Sequence, residues 1–494
     1  MQNIVILGGG TAGWITASGL ARVLLKNGSK NFNIKLIESD EIGTIGVGEA
    51  TIPSIIEFIQ FLNIDQLDFI KNTDATFKLG IEFNDWQNIG HSYFHPFGTL
   101  GPEVDNKPLF GHWMREKLNG AQLELMDLSI CAQLGKNNKF LTPNQQNQIC
   151  HDNFGYALHF DASLVAKYLK DYALNIGVEH INSKIGEIKK DEKNNISALV
   201  TTDNKEIKGD FFIDCSGFRS IILGEALETK YEDWSHWLPC DSALAIQTDE
   251  KTTLNPYTKS SARGAGWTWQ IPLRTRMGNG YVYSSEYVND DDALDTLLNS
   301  IKGNKITEPR KIKFKAGARE VTWKNNCLAL GLSSGFLEPL ESTSIHLVIS
   351  NLYRFLDLFP SGDDWHLLQQ KFNKAAKQEL EEIRDFIILH YCKTQRQDTE
   401  FWKYCKNMEI PTSLAQKIEF FENNGKISTD YYDLFKPTSW VSVLIGMGVN
   451  FKTYDNLIDA IKPEFSQKIL QNFVQIVNQG VNSSPFHAHI LKNL

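Results

Sequence analysis

The first forty residues alternate apolar runs with a helical pattern that glycines interrupt. Residues 3–7, NIVIL, form a continuous apolar run that is typical of a buried strand, and three glycines follow it. A helical pattern then extends to about Lys26, and residues 33–37, NIKLI, predict a second strand that ends at Glu38. Because a strand, a helix and a strand follow in this order, we predict a β-α-β unit with parallel strands.

Two later changes of pattern divide the rest of the chain. An amphipathic helical pattern at 163–176 precedes short alternating segments, which lead to a buried strand at 210–214, DFFID. The region from about 240 to 325 is rich in strand patterns, and helical patterns dominate from about 345 onward. The pattern thus indicates a parallel α/β part, a strand-rich part and a helical carboxyl-terminal part.

Composition narrows the class of partner. The 494 residues carry a formal net charge of −9, which argues against nucleic acid because phosphate binding needs a basic surface. No apolar run is long enough to span a bilayer, so we expect no membrane segment. The seven cysteines are odd in number and form no Cys-x-x-Cys pair, which suits reduced thiols in a cytoplasmic protein without a bound metal.

The glycines after the first strand form a dinucleotide fingerprint. Gly8 permits a tight turn, Gly10 lets the backbone approach a pyrophosphate, and Gly13 allows close helix packing. Glu38, at the end of the second predicted strand, can accept hydrogen bonds from ribose hydroxyls. The motif and its flanking elements predict a dinucleotide site. Its candidate residues are Gly8, Gly10, Thr11, Ala12, Gly13 and Glu38.

Two later segments favour FAD over NAD. The strand at 210–214 ends with Asp214 and a Ser-Gly turn, and residues 326–345 predict a strand, a small-residue turn containing Gly331, and a helix start. Such a unit can bring backbone amides to a flavin ring, and each segment alone also fits an ordinary connection. We predict an α/β fold class, with a Rossmann-like FAD-binding core, an inserted mixed or antiparallel sheet and a helical carboxyl-terminal region.

Two tryptophans stand one residue apart in the strand-rich region, in GWTWQIPL (266–273). If this stretch is a strand, alternation places the rings of Trp267 and Trp269 on the same face. Large rings on one face fit a packing role in the core. On the pattern alone, this packing role is the preferred interpretation.

Several motifs, spread over most of the chain, carry a resemblance to a known family. They are GGGTAGW (8–14), ESDEIGTIGVGEATIPS (38–54), TFKLGIEF (76–83), YFHPFG (93–98), GWTWQIP (266–272), GFLEPLESTSI (335–345), ILHY (388–391) and RQDTEFW (396–402). In this order they resemble the FAD-dependent tryptophan halogenase family. Their combination is specific for the family and less specific for the substrate.

The resemblance implies an activity and its partners. Members of that family use reduced FAD (FADH2) delivered by a separate NAD(P)H-dependent flavin reductase, with oxygen and a halide, either chloride or bromide. Hypohalous acid forms beside the flavin and travels through an internal tunnel to a lysine next to a small electron-rich aromatic substrate. We therefore expect a flavin-dependent halogenase that acts on an indole or tryptophan-type ring, and a homodimer is compatible with the sequence.

The resemblance also assigns catalytic residues. The family's lysine corresponds to Lys78 in FKLGI, and the glutamate and serine of its EPLES motif correspond to Glu341 and Ser342. A positioned ammonium group can polarise hypohalous acid or form a haloamine, and a carboxylate can accept the ring proton. Without the resemblance, Lys78 reads as a surface lysine, and Glu341 and Ser342 read as caps of a helix that begins near Ser344.

Other positions follow from the same resemblance. The family's halide site corresponds to backbone amides at Thr343 and Ser344, where the second position is commonly glycine, so Ser344 departs from the pattern. Trp267 and Trp269 correspond to rings that keep organic substrate away from the flavin. The candidate pocket for the aromatic ring contains His95, Phe97 and Trp440, and the further candidate flavin contacts are Ala50, Asp214, Gly331 and Ser342. For His95, a buried core histidine is an equally good interpretation.

We predict that residues 1–345 form the FAD-binding module, with a strand-rich insertion at about 226–325, and that 346–494 form a helical region that completes the substrate pocket. The groups that hold the amino acid part of free tryptophan have no clear match in DYYDLFKPTSW (430–440). Two other functions share the FAD module, namely a flavin-dependent monooxygenase or oxidoreductase on an aromatic substrate and a flavin protein without catalysis. Neither needs a lysine together with Trp-x-Trp-x-Ile-Pro.

Overall fold

The chain forms two compact units, and each is assembled from three segments. The computed structural model describes residues 2–41, 48–142, 148–250, 254–362, 364–430 and 433–494. The first unit consists of Met1–Ala75, Phe160–Asp241 and Lys313–Glu381, and the second of Thr76–His159, Ser242–Ile312 and Glu382–Leu494. Neither unit is therefore a continuous stretch of sequence.

Helices and strands have the following bounds in chain order. The α-helices are α1 (Thr11–Leu24), α2 (Ser54–Phe61), α3 (Gln66–Asn72), α4 (Leu109–Leu118), α5 (Ile130–Lys136), α6 (Gln148–Asp152), α7 (Ala162–Ile176), α8 (Asp290–Ser300), α9 (Ser344–Asp357), α10 (His366–Cys392), α11 (Glu400–Asn407), α12 (Thr412–Asn424), α13 (Pro437–Gly446), α14 (Pro463–Ser483) and α15 (His487–Lys492). The strands are β1 (Asn3–Leu7), β2 (Asn33–Glu38), β3 (Gly48–Ala50), β4 (Thr76–Lys78), β5 (Gly80–Asn84), β6 (Ser92–Pro96), β7 (Glu103–Val104), β8 (Lys107–Pro108), β9 (Ala157–Asp161), β10 (Glu179–Asn182), β11 (Ile185–Lys190), β12 (Ile196–Thr201), β13 (Glu206–Lys208), β14 (Phe211–Asp214), β15 (Tyr231–Asp233), β16 (Ser242–Thr248), β17 (Thr258–Arg263), β18 (Gly266–Pro272), β19 (Met277–Tyr283), β20 (Arg310–Lys313), β21 (Gly317–Arg319), β22 (Trp323–Lys324), β23 (Cys327–Ala329) and β24 (Gly335–Phe336).

The first unit is built on a six-stranded sheet in the order β10-β2-β1-β14-β23-β22. Its first five strands are parallel to their neighbours, and β22 pairs antiparallel at the edge. β1 and β14 each contain an unbroken run of buried apolar residues, 4–7 and 211–213, because helices and hairpins cover both faces of such a sheet. The predicted β-α-β unit is confirmed by β1, α1 and β2.

The register of this sheet places the ends of three strands at one edge. Leu7, the last residue of β1, pairs with Ile37 of β2 on one side and with Asp214 of β14 on the other. Because the strands are parallel, the residues that follow them leave from the same edge of the sheet. Gly8 and Glu38 therefore lie at the carboxyl edge, together with Asp214.

The second unit contains a seven-stranded sheet in the order β20-β16-β19-β18-β17-β5-β6. β17 runs parallel to β5, and the pairs on either side are antiparallel, so the predicted mixed sheet is confirmed. The strand-rich region predicted at about 240–325 supplies most of these strands. Residues 80–96 supply β5 and β6, which the pattern analysis did not identify because both are short and include polar residues.

Helix α8 packs on this sheet through a small apolar core. Leu244 and Ile246 of β16, Tyr281 and Tyr283 of β19, and Leu297 of α8 belong to one buried cluster. The helix begins cleanly because the Asn289 side chain accepts a hydrogen bond from the Asp292 amide, and three aspartates fill its first turn, where the helix dipole favours negative charge. These contacts fix β16 and β19, which flank the tryptophan-containing β18.

Among the described residues, no helix has both the length and the apolar character that crossing a bilayer requires. All seven cysteines are free thiols, and all except Cys392 are buried. The described residues include no group of three or more His, Cys, Asp or Glu side chains that could hold a metal ion.

Candidate active site

Three glycines shape the turn between β1 and α1, each for a different reason. Gly8 has φ +117°, and a Cβ there would lie 2.2 Å from the carbonyl oxygen of Cys215. A Cβ on Gly13 would lie 1.8 Å from the carbonyl oxygen of Gly8. A Cβ on Gly10, in contrast, would meet no atom of the described residues within 4 Å. Packing therefore explains Gly8 and Gly13, whereas Gly10 leaves an open approach to the start of α1.

This open approach suits an anionic ligand. Gly10 is the N-cap of α1 and supplies no capping side chain, so the first amides of the helix, from Thr11 and Ala12 onward, have no side-chain cap. The amino terminus of a helix carries a partial positive charge, and its free N–H groups point outward. A pyrophosphate can bind to such a helix end.

Glu38 leans over the same turn. A Cβ on Gly9 would lie 1.6 Å from Glu38 Oε2, so the carboxylate covers this glycine. Glu38 Oε1 lies 2.7 Å from Lys170 Nζ and 2.8 Å from His180 Nε2. The two partners hold the carboxylate in place at the carboxyl edge of the sheet, next to this turn.

Asp214 stabilises the turn that follows β14 and does not project from it. Its Oδ1 accepts hydrogen bonds from the amide and hydroxyl of Ser216, at 3.0 and 2.6 Å. Its Oδ2 accepts from the amides of Ile222 and Leu223, at 2.8 and 2.9 Å. Because internal donors occupy both oxygens, a contribution of Asp214 to cofactor binding would come through the backbone of the turn that it holds.

Gly331 lies against the start of α1. It has φ +68°, and a Cβ there would lie 2.9 Å from the Cβ of Ala12 and 3.6 Å from a methyl group of Val348 on α9. The small-residue turn predicted after β23 is therefore packed between α1 and α9. This position requires glycine both for its backbone conformation and for space.

Ala50 ends β3, and the acidic residue before it was not identified from the sequence. Burial, and secondarily the Asp161 carboxylate, raise the pKa of Glu49 to about 7. Residues 42–47, within the resembling stretch 38–54, lie outside the described residues. The only signal for Glu49 in the sequence is a single carboxylate inside the otherwise small and apolar stretch IGVGEATIP.

The EPLES segment forms a tight turn before α9. Glu341 is 1% exposed, and Ser342 has φ +59°, a left-handed conformation that is uncommon for residues other than glycine. The helix begins at Ser344 as predicted, and its N-cap is Thr343, whose side chain makes no capping hydrogen bond. The first amides of α9 therefore remain available to an anion.

A hydrogen-bonded chain holds the first turn of α9 from one side. His346 Nδ1 lies 3.0 Å from Ser54 Oγ, at the start of α2, and His346 Nε2 lies 3.0 Å from Glu379 Oε1 on α10. Glu379 also accepts from Ser350 at 2.9 Å and from Arg354 at 3.0 Å. The sequence analysis did not identify this group, because its members come from three helices that are distant in the chain.

Lys78 is fully buried in the second unit, which excludes the interpretation as a surface lysine. It ends β4, which pairs with β9, and its Nζ lies 5.2 Å from the centroid of the Phe97 ring. A cation over an aromatic face at this distance is attracted by the ring. The amine is thus inside the protein and adjacent to one of the predicted pocket residues.

Polar contacts anchor the strand of Lys78 to its neighbours. The Thr76 hydroxyl donates to the carbonyl of Pro272, the last residue of the Trp-x-Trp-x-Ile-Pro strand, at 2.6 Å. Thr76 Oγ1 also lies 3.0 Å from His159 Nδ1, and His159 Nε2 lies 2.9 Å from Thr258 Oγ1. Burial, and then the charges of Lys78 and His487, hold the pKa of His159 well below its usual 6.5, so the imidazole is neutral.

His95 and Phe97 reach Lys78 through strand pairing. His95 of β6 pairs with Ile81 of β5, and the Phe97 amide donates to the Leu79 carbonyl at 2.8 Å. A Cβ on Gly80 would lie 2.3 Å from the His95 carbonyl oxygen, so this glycine permits the close approach. His95 and Phe97 are 3% and 9% exposed.

Trp267 and Trp269 lie on the same face of β18, as alternation predicts. Their ring centroids are 6.1 Å apart, and they are 2% and 7% exposed. The ring of Trp269 covers Gly280 of β19, where a Cβ would lie 2.0 Å from it. Trp267 lies 6.3 Å from Trp86, in a cluster of buried rings. The pair is part of the core of the second unit.

Trp440 lies on α13 in a second aromatic cluster. It is fully buried, and its ring meets Phe386 edge-on at 4.9 Å. Phe386 in turn lies 5.4 Å from the His95 ring. The structure thus brings Lys78, Phe97, His95 and Trp440 into one connected region of the second unit, while the glycines, Glu38, Asp214 and Gly331 share one edge of the first unit.

Comparison with known proteins identifies the family. The family model for tryptophan halogenases matches residues 3–463. The chain belongs to this family. Tryptophan 6-halogenase SttH of Streptomyces toxytricini is 36% identical over 476 residues, covering 90% of this chain and 89% of that protein. Tryptophan 7-halogenase RebH of Lentzea aerocolonigenes is 31% identical over 485 residues, covering 91% of this chain and 90% of that protein.

Solved structures agree. Xcc4156, a flavin-dependent halogenase from Xanthomonas campestris, superposes with a TM-score of 0.94 at 39% identity and covers 100% of this chain and 98% of that one. The halogenase BrvH from Brevundimonas sp. BAL3 gives the same TM-score at 38% identity, covering 100% and 99%. These similarities confirm the predicted fold class and the predicted function, a flavin-dependent halogenase that acts on an indole or tryptophan-type aromatic.

Proposed function

We propose that this halogenase uses FADH2, oxygen and chloride or bromide to halogenate an indole-type ring, and that Lys78 delivers the halogen. Bound reduced flavin supplies the two electrons with which oxygen and halide yield hypohalous acid and water. The halogen then replaces a ring hydrogen and a second water is released. The observation that carries the proposal is the buried Lys78 amine above Phe97, in a chain of this family.

The first unit offers a fitting site for FAD. The open space at Gly10 and the uncapped start of α1 would receive the pyrophosphate, and Glu38 would accept from a ribose hydroxyl. The backbone at Gly331 and at the turn held by Asp214 would lie along the flavin, with Ala50 and Ser342 as further contacts. Amides of Thr343 and Ser344 would hold the halide.

Side chains of the protein would position the hypohalous acid and the aromatic ring and would accept the ring proton. Lys78 Nζ would hydrogen-bond the hypohalous acid, or carry the halogen, in a site with little water. His95, Phe97 and Trp440 would hold the flat ring. Trp267 and Trp269 would keep organic substrate away from the flavin, and Glu341 would accept the ring proton.

Several finer predictions remain proposals. We propose a separate NAD(P)H-dependent flavin reductase as the source of FADH2, a homodimer as the assembly, and a cytoplasmic location based on the reduced cysteines. The functional division into a module at 1–345 and a helical region at 346–494 also stays a prediction. SttH and RebH are tryptophan halogenases. For this chain, we propose that the substrate carries an indole ring, and the proposal does not extend to free tryptophan.

The test replaces the amine and keeps the chain length. We expect Lys78→Met, supplied with FADH2, bromide and indole, to lose aryl bromide by at least about 100-fold, because transition-state stabilisation by the ammonium group is gone. Flavin reoxidation and release of hypohalous acid, trapped by a diketone in solution, should stay within twofold of the unmodified enzyme. Mass spectrometry of the bromine doublet measures the product.

Lys259→Met is the matched control, since Lys259 is a half-exposed lysine on β17, in the seven-stranded sheet of the same unit. Normal bromination by Lys78→Met would refute the role of Lys78. Hydroxylated indole without bromine from the unmodified enzyme would favour a monooxygenase instead.

A further inference from the structure

The two oxygens of the Glu38 carboxylate have different surroundings. Oε1 lies 2.7 Å from Lys170 Nζ and 2.8 Å from His180 Nε2. Oε2 lies over Gly9, and within the described ranges no group donates a hydrogen bond to it. The side chain keeps 17% of its surface exposed at this turn. Oε2 is therefore the atom with which Glu38 can accept a hydrogen bond from a ligand.

Four elements bring the surroundings of Glu38 together. Glu38 ends β2, His180 lies on β10, Lys170 lies on α7 and Trp14 lies on α1. In the parallel pair of β10 and β2, His180 pairs with Leu36, so alternation places its side chain on the face of the sheet that carries Glu38. The contacts of Glu38 thus come from residues that are distant in the sequence.

The ring of Trp14 supports both partners of Glu38. It is 1% exposed, and Lys170 Nζ lies 5.5 Å from its centroid. The His180 ring lies 5.9 Å from it, at an angle of 48°. Because a cation over an aromatic face is attracted by the ring, Trp14 helps to keep Lys170 beside the carboxylate. This gives a role to the last residue of GGGTAGW (8–14), which the dinucleotide fingerprint does not include.

Gly9, the middle one of three consecutive glycines, also lies outside the G-x-G-x-x-G pattern. A Cβ there would lie 1.6 Å from Glu38 Oε2, 2.4 Å from its Cδ and 2.5 Å from its Cβ. The φ angle of Gly9 is outside the left-handed region, so its backbone does not require glycine. Gly9 is therefore needed for the space that the Glu38 side chain occupies.

We infer that Gly9, Lys170 and His180 are positioning residues, which present Oε2 of Glu38 to the ribose hydroxyls of the adenosine part of the dinucleotide. This inference rests on the proposed function, because that proposal places FAD at this turn and lets Glu38 accept from a ribose hydroxyl. It adds the residues that orient the carboxylate and the oxygen atom that accepts.

The physical reason is the cost of orienting a carboxylate. Two partners on Oε1 restrict the rotation of the Glu38 side chain, whereas a carboxylate without them would turn towards water and would have to be ordered again on binding. Lys170 also brings a positive charge, and its loss weakens the binding of any diphosphate. Two diphosphates that differ only in the ribose hydroxyls therefore separate the effect of orientation from the effect of charge.

The experiment measures binding of ADP and of 2′,3′-dideoxy-ADP to the flavin-free, full-length enzyme by calorimetry. The unmodified enzyme should bind ADP at least about tenfold more tightly, because the dideoxy compound cannot donate to the carboxylate. Lys170→Met and His180→Leu should each lower this ratio to about threefold. Gly9→Ala displaces Glu38 and should lower the ratio below about twofold, as Glu38→Ala does, with the affinity for dideoxy-ADP retained.

Lys167→Met is the matched control, because Lys167 is an exposed lysine about one turn before Lys170 on α7. It removes the same charge and should keep the ratio of the unmodified enzyme. The double variant Gly9→Ala, Glu38→Ala should bind both compounds as Glu38→Ala does, since Gly9→Ala acts through Glu38.

Thermal unfolding shows which variants fold. The side chains of Lys170 and His180 are 28% and 22% exposed, so their variants retain the test if Gly9→Ala does not fold. A ratio in Lys170→Met and His180→Leu equal to that of the unmodified enzyme would overturn the inference. A double variant that binds dideoxy-ADP much more weakly than Glu38→Ala would also overturn the role of Gly9.

Failure of the proposed function is distinguishable. An enzyme whose variants show the expected ratios, yet which makes no brominated indole with FADH2, oxygen and bromide, supports the positioning role and contradicts the proposed function. An enzyme that brominates indole, and whose ratio does not change in Lys170→Met, His180→Leu or Gly9→Ala, does the reverse. Equal affinity of the unmodified enzyme for the two diphosphates overturns both the inference and the proposed contact of Glu38 with the ribose.

Discussion

The turn after β1 and the strand that carries Lys78 show two ways in which this halogenase builds a site. The turn uses the backbone: Gly8, Gly10 and Gly13 matter because a side chain there would clash or would block an open approach. The strand uses one side chain, Lys78, whose environment comes from several strands of the second unit. The turn therefore depends on residues of one contiguous motif, whereas the surroundings of Lys78 depend on residues that are distant in the sequence.

The largest expected effect would break the first half of this comparison. Gly8→Ala places a Cβ 2.2 Å from the Cys215 carbonyl oxygen at φ +117°, and we expect it to lower the free energy of unfolding by about 4 kcal/mol or more. The new Cβ in Gly10→Ala meets no atom within 4 Å in the part of the chain that the structure describes, so the free energy of unfolding should change by less than about 1 kcal/mol. Its affinity for FAD should nevertheless fall at least about tenfold, measured by flavin fluorescence. Unchanged FAD affinity in Gly10→Ala would contradict the assignment of the pyrophosphate site.

The next prediction tests the burial around the Lys78 strand. His487 accepts from the amide of Phe77, the residue before Lys78, at 3.3 Å, and burial lowers its pKa to about 4, against a hydrogen bond to the Leu254 carbonyl. The unfolded chain binds a proton on His487 near pH 6.5, whereas the folded chain binds it only near pH 4. The free energy of unfolding is therefore at its full value above pH 6.5, and it falls by about 3 kcal/mol as the pH decreases towards 4.

Denaturant unfolding at several pH values measures this loss, and His487→Gln should flatten the slope between pH 6.5 and 4. The exposed His489 on the same helix is the control, and His489→Gln should leave the slope unchanged. A His487→Gln protein with the original slope would show that other groups account for the acid sensitivity.

A smaller effect would separate packing from function at the tryptophan pair. In Gly280→Ala, the new Cβ would lie 2.0 Å from the Trp269 ring, so the ring must move. We expect a loss of about 2 kcal/mol in the free energy of unfolding. If the pair also forms a barrier, hydroxylated indole should appear beside the brominated product.

Gly264→Ala is the control for this change, since among the described residues a Cβ there meets only the Thr399 methyl group, at 3.7 Å. A displaced Trp269 without any oxygenated product would leave the pair with its packing role alone.

The smallest expected effect concerns the chain from Ser54 through His346 to Glu379. Burial by itself would raise the pKa of Glu379, but His346 and Arg354 outweigh it and hold the pKa below 4.5. The stability that this carboxylate contributes is therefore present above pH 4.5 and is lost as pH falls below it.

Ser54→Ala removes one hydrogen bond, so we expect about 1 kcal/mol of destabilisation and a KM for bromide raised about threefold, with the KM for FADH2 unchanged. Equal changes in both KM values would indicate a general disturbance of the first unit.

Local patterns in the sequence were sufficient for β1, α1 and β2, for the single-face placement of the two tryptophans, and for the start of α9 at Ser344. These features depend on residues close together in the chain, where periodicity and backbone geometry act directly. Strands β5 and β6 were missed because their stability comes from pairing with each other and with the distant β17. Short strands with polar residues carry little signal of their own.

The sequence by itself determined the family and the glycine-containing turn between β1 and α1, because contiguous motifs carry both, and the same resemblance singled out Lys78. Only the tertiary structure decided that Lys78 is buried, that both oxygens of Asp214 are occupied, and that Lys170 and His180 hold Glu38. Burial, charge and hydrogen-bond partners are properties of the space around a side chain, and residues far apart in the sequence create that space.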